Sequence, residues 1–149
     1  MSQGHADKSK VVRTLNSLLR SEISATESYS QAIPRVARHA SDVEVLRTIA
    51  KEHGTAVKTI RSEIERHGGK PDETSGVWPA LTKTVDGPAS VFGDAVALQT
   101  LKDGEARGLE DYRDALQRFN DATGEFIARS LIPAQEKHIR KLDEIIARL

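Results

Sequence analysis

The segment Asp103–Phe119, DGEARGLEDYRDALQRF, decides how this chain is read. Leu98, Leu101, Leu109, Tyr112, Leu116 and Phe119 recur at helical spacing and mark one buried stripe. The position that continues the stripe between Leu101 and Leu109 is Glu105. A carboxylate where a leucine belongs must find a partner, because a buried charge is costly unless it is paired.

The search for that partner leads outward to an internal repeat. Laid over Gly104–Leu116 (GEARGLEDYRDAL), the segment Ser21–Ile33 (SEISATESYSQAI) matches Glu22 to Glu105, Glu27 to Glu110, Tyr29 to Tyr112 and Ala32 to Ala115. Leu15 and Leu18 fall on Leu98 and Leu101. Each copy therefore offers a glutamate and, two turns later on the same stripe, a tyrosine.

The rest of the chain supplies two more helices. MSQGHADKSK reads as a flexible polar tail over residues 1–10, and the first helix then runs to about Ile33, where Pro34 forbids continuation. A second helix carries the stripe Leu46, Ala50, His53, Val57, Ile60, Ile64 and stops at Gly68-Gly69. Residues 68–88 are rich in Gly, Pro, Thr and Ser, with Trp78 expected to cap the bundle. The third helix ends near Phe119, NDATG makes a short turn, and the fourth carries Leu131, Gln135, His138, Leu142, Ile145, Leu149. Pro133 lies inside that pattern, so this helix should kink or begin there.

Loop lengths arrange these four helices. Short turns after the first and third make two antiparallel hairpins, whereas the connection at 68–88 could extend about 60 Å, beyond a bundle roughly 35 Å long. One long crossover in an all-α four-helix bundle is the ferritin-like topology, here filling residues 1–149 as a single domain. In each hairpin, residues equally distant from the turn share a level. Glu22 and His53 are so related, as are Glu105 and His138, and all four are expected in one polar layer.

Composition agrees and narrows the function. A chain of 149 residues with 4% aromatic and 30% charged residues suits one helical domain. The 22 basic and 22 acidic side chains cancel without a long run of one sign, so neither nucleic acid nor an anionic membrane is expected as a partner. There is no cysteine, hence no thiolate chemistry and no sulfur ligand for a metal. Without an apolar signal core or a run of about twenty apolar residues, the chain reads as soluble and cytoplasmic. Val77, Trp78, Val91 and Phe92, in or beside the connection, suggest an apolar patch that a homodimer would cover.

Helices one and three resemble the ferritin-like superfamily of ferritins, bacterioferritins and rubrerythrins, in which Glu-x6-Tyr supplies a metal-bridging carboxylate and a nearby tyrosine. Glu22/Tyr29 and Glu105/Tyr112 fit that pattern. DGEARGLEDYRDAL, Trp78 and the chain length more closely resemble a small bacterial ferritin-like family known as a domain of unknown function. The resemblance implies a metal-binding bundle linked to iron or oxidative stress. It also exposes a departure. Di-iron members carry Glu-x-x-His on helices two and four, whereas this chain has His53-x-x-Ala56 and Gln135-x-x-His138. Glu52 and Glu136 sit on the flank of the stripe and would need a twist to reach inward.

Charge then sets the capacity. Glu22 and Glu105 offset one divalent ion, and with His53 and His138 they form a set acceptable to Fe, Zn or Mn. Gln135, Glu52, Glu136, Tyr29 and Tyr112 are the candidates for further ligands or for groups around them. Two readings stay open at this stage: a ferritin-like site for a single metal ion, or a non-enzymatic interaction bundle whose Glu and His satisfy one another without metal. No Ser/His/Asp set, phosphate loop or nucleotide motif supports metal-free catalysis.

Overall fold

The computed structural model describes residues 3–36, 40–76, 93–119 and 121–149, with side chains from Lys8 onward. Helix α1 spans Gln3–Ala32 and ends in a 3-10 turn, Ile33–Val36. Pro34, inside that turn, has no N–H to continue the α-helical ladder. Helix α2 spans Ala40–Arg66, α3 Gly93–Arg118, α4 Ala122–Phe126 and α5 Ile132–Ala147. A π-turn, Ile127–Leu131, joins α4 to α5, so these three form one fourth rod of the bundle. All regular structure among the described residues is helical.

Two expectations are corrected at the ends of these rods. Helix α1 begins at Gln3, so the polar stretch read as a flexible tail has helical backbone. Once the stripe behind it is packed, each added residue extends an existing helix without a new nucleus. From Asp121 onward the stretch expected as a short turn is the start of the fourth rod: the Asp121 carboxylate caps it by accepting from the N–H of Thr123 at 3.0 Å and of Gly124 at 3.4 Å. Pro133 does reshape that rod. It falls at the second residue of α5, and immediately before it the Ile132 N–H reaches the carbonyl of Ile127, one residue beyond the α-helical partner.

The chain crosses the bundle between α2 and α3. Helix α2 stops in a Schellman motif, with Gly69 N–H on the Ile64 carbonyl, Gly68 N–H on that of Glu65, and Gly68 at φ +76°. There a Cβ on Gly69 would lie 2.6 Å from the Val12 methyls, near the start of α1. The following residues climb α1. Asn16 donates to the Lys70 carbonyl and accepts from the Asp72 N–H, Arg20 pairs with Asp72, and Gly76 donates to the Arg20 carbonyl. Asp94, at the start of α3, lines a cavity with Val36 and Asp42 at the opposite end. The expected crossover thus has both of its ends placed. Val77, Trp78, Val91, Phe92 and the remainder of the connection lie outside the described residues.

Among the described residues, the apolar core comes in two clusters. One gathers Leu15, Leu19, Ile60, Ile64, Phe119 and Ile127; the other gathers Leu46, Ile49, Leu98, Leu101, Leu142 and Ile145. Each such side chain, fully buried, stabilises by about 1.5–3 kcal/mol. Tyr112 packs in the first cluster and Tyr29 in the second. Between them lies the polar layer.

A candidate metal centre in the polar layer

The layer takes one polar residue from each rod: Glu22 of α1, His53 of α2, Glu105 of α3 and His138 of α5, all 4% exposed or less. They sit inward because each occupies the stripe its helix turns toward the core. Glu105 is the centre. Its Oε2 accepts the Tyr29 hydroxyl at 2.5 Å and His53 Nε2 at 2.8 Å. His53 Nδ1 lies 2.5 Å from Glu22 Oε2, and Glu22 Oε1 accepts from Tyr112. His138 Nε2 lies 2.8 Å from Glu52 Oε1, and the two imidazole centroids are 4.6 Å apart.

Proton positions follow from what each partner can do. A carboxylate only accepts, so each histidine nitrogen that faces one at hydrogen-bond distance must carry a hydrogen. His53 faces Glu22 and Glu105 and is therefore an imidazolium. Burial would lower its pKa, but the two carboxylates more than offset that and raise it to about 10. Burial would likewise raise the pKa of Glu105, yet the imidazoles of His53 and His138 pull it down to about 2. Burial, and then the adjoining carboxylates, push both tyrosines well above the ordinary phenol value.

One contact is left incomplete. Glu105 Oε1 and His138 Nδ1 are both buried without a hydrogen-bond partner, and they face one another at 3.5 Å. With Nε2 turned to Glu52, His138 points Nδ1 at Glu105 Oε1, and no hydrogen bond forms between these two buried atoms. Only a proton or a cation can satisfy both. Among the described residues, His53, Glu105 and His138 each bring one ligand atom within 4.8 Å of the others.

The remaining candidates divide. Glu52 does reach inward from the flank of its stripe: its side chain is 35% exposed, touches His138, and is held from outside by Lys137 at 3.5 Å. Burial would raise its pKa, but His138 and then Lys137 lower it below the ordinary carboxylate value. Glu136 stays on the surface, paired with Arg113 at 3.4 Å, because its direction from α5 turns it toward solvent and a guanidinium meets it there. Gln135 is buried but points at backbone: its Nε2 donates to the Glu105 carbonyl at 2.9 Å. Gly108 makes the approach possible, since a Cβ there would lie 2.6 Å from that nitrogen. Glu27 and Glu110 are exposed, and His67 at the end of α2 bonds the Glu63 carbonyl. The Gly108 cradle escaped the sequence reading, although a glycine in mid-helix facing a stripe glutamine was its available signal.

Comparison with known proteins fits this geometry. The profile of the family described as a domain of unknown function (DUF2383) matches residues 10–118, and the chain belongs to that family. The match spans α1 to α3 and ends before the rod that carries Gln135 and His138. No curated protein matches. Among solved structures, the bacterioferritin of Rhodobacter capsulatus, described with a metal-free dinuclear site and a haem iron, is similar in fold. The identity is 24%, over 94% of this chain and 85% of that chain, with a TM-score of 0.74. The ferritin-like four-helix bundle is thereby established for this chain. Among the described residues, no helix is long and apolar enough to cross a membrane.

Proposed function

We propose that this member of the family binds one divalent cation in the middle of its bundle, with Glu105, His53 and His138 as the ligands that converge on it. The observation that carries the reading is the facing pair Glu105 Oε1 and His138 Nδ1, buried and unpartnered. The donor chemistry fits, since two imidazoles and a carboxylate suit Fe, Zn or Mn. Each histidine is turned by a carboxylate on its far nitrogen, Glu22 on His53 Nδ1 and Glu52 on His138 Nε2. That arrangement fixes the ring and strengthens the nitrogen facing the metal. Glu22, proposed from the stripe as a direct ligand, acts here through His53, and its charge with that of Glu105 offsets one dication. Bound there, the ion supplies Lewis acidity or, as iron or manganese, one-electron chemistry.

A second reading has its own observation. His53, protonated between Glu22 and Glu105, satisfies the centre of the layer without metal, which suits a bundle whose site is vestigial and whose role is interaction. Elemental analysis of the purified chain, followed by titration with Fe2+, Zn2+ and Mn2+, separates the two. One ion per chain that His138→Ala loses supports the centre. No ion from any titration, with an unchanged melting temperature, rejects it.

A further inference from the structure

Resting on that metal-binding reading, we infer that cations reach the layer through the seam between α2 and α5. Helices α2 and α5 pack much more sparsely than α1 with α2 or α3 with α5. A pocket of about 320 Å3 fills the gap, walled by Thr55, Ala56, Thr59, Ser130, Leu131 and Ala134. Its inner end reaches Glu22, His53, Gln135 and His138. Small side chains, Ala56 and Ala134, leave the throat open. The π-turn contributes the other wall, because the extra residue in its ring bulges the rod, with exposed Ser130 at the mouth and buried Leu131 deeper along the wall.

Charge distinguishes this mouth from its neighbour. Glu52 and His138 also border a second hollow of about 350 Å3, but there Lys137 and Lys141 stand beside Glu44 and Glu52. The two ammonium groups offset the two carboxylates, so that hollow holds no net attraction for a dication. Among the described residues, no basic side chain other than His53 and His138 lines the first pocket, and its carboxylates are Glu22 and Glu52. Glu52 is the one carboxylate of the network that touches both solvent and a core histidine. It therefore meets a cation first and passes it to the unpartnered pair behind His138. The two apolar clusters close the routes along the bundle axis.

The test is the rate at which the full chain takes up Co2+, followed by the visible absorption of the bound ion after rapid mixing. Thr59 is exposed at the rim and Ala134 half-buried in the throat. Thr59→Phe and Ala134→Leu should each slow association and dissociation by about tenfold or more, a barrier increase of about 1.4 kcal/mol. Affinity and the ratio of one ion per chain should not change. Thr48→Phe, in the lysine-lined hollow, should leave both rates within about twofold. Wild-type rates in both seam variants, or slowing confined to Thr48→Phe, overturn the route while leaving the centre standing. Failure of the wild type to take up Co2+ at any concentration overturns the centre itself, and the route with it.

Discussion

Tyr29 of α1 donates its hydroxyl to Glu105 of α3 across the middle of the bundle. Tyr112 of α3 returns the bond to Glu22 of α1, so the two sequence repeats are interlocked by an exchange in which each tyrosine serves the other repeat's glutamate. The exchange follows from α1 and α3 running in opposite directions with matching Glu and Tyr positions.

Removing either hydroxyl leaves a buried carboxylate with one donor fewer. Tyr29→Phe and Tyr112→Phe should each destabilise the metal-free protein by about 1.5–3 kcal/mol, the range for hydrogen bonds to charged groups. Because both glutamates also hold His53, the losses should couple and not add. Denaturant unfolding of the two single variants and the double variant measures this; strict additivity would contradict the shared network.

Acid and alkali should weaken the metal-free protein by different groups. His53 has its pKa raised from 6.5 to about 10, so its contribution is complete below about 6.5 and disappears as pH climbs through 10. Glu105 has its pKa lowered from 4.5 to about 2, so its contribution is complete above about 4.5 and disappears as pH falls through 2. Stability from this pair should therefore be greatest between pH 4.5 and 6.5. Urea midpoints measured with chelator at pH 5.5, 7.5 and 9 should fall in that order. A His53→Gln variant should lose most of the decline, and a wild-type midpoint that rises toward pH 9 would refute the imidazolium.

Glu22, His53, Glu105 and His138 were legible in the sequence because each breaks an apolar stripe, and a stripe position decides burial almost by itself. Their common level was legible too, since hairpin geometry sets it. Glu52 was harder. It sits beside the stripe, and only its side chain's reach and the ring orientation of His138 bring it in, neither of which periodicity encodes. The same limit applies to Glu136, which occupies a similar flank and turns outward to Arg113. Pro133 announced a break but not its form: the π-turn depends on how the rod packs on both sides of it. That Glu22 would reach the others through His53, and not beside it, required atomic distances.

Gly108 and Gln135 offer a test in which two effects of opposite sign compete. Alanine in a helix interior is favoured over glycine by about 1 kcal/mol. Here the new methyl would lie 2.6 Å from Gln135 Nε2 and push the amide off the Glu105 carbonyl. Overpacking of this kind costs about 1–3 kcal/mol, so Gly108→Ala should be neutral to destabilising in the wild type. In a Gln135→Ala background the clash is gone, and the same change should stabilise by up to about 1 kcal/mol. Thermal melts of the four proteins read the cycle directly. A stabilising Gly108→Ala in both backgrounds would show that the amide does not rest in that cradle.

Glu105 itself separates the metal centre from a self-sufficient polar core. Without metal, Glu105→Ala takes the carboxylate away from His53 Nε2 and the Tyr29 hydroxyl, and should destabilise by roughly 1–3 kcal/mol in the presence of chelator. With Zn2+ or Mn2+ the wild type should gain melting temperature, because an ion bound only by the folded state stabilises it in proportion to the logarithm of its concentration. The variant should gain none. Loading must also remove the hydrogen from His53 Nε2, which now faces Glu105 at 2.8 Å. About one proton should therefore leave per ion, and affinity should tighten about tenfold per pH unit below the His53 pKa. Calorimetric titration in two buffers of different ionisation enthalpy counts that proton. A wild type whose melting temperature ignores every metal, beside a strongly destabilised Glu105→Ala, would leave this bundle held by its Glu–His–Glu layer alone.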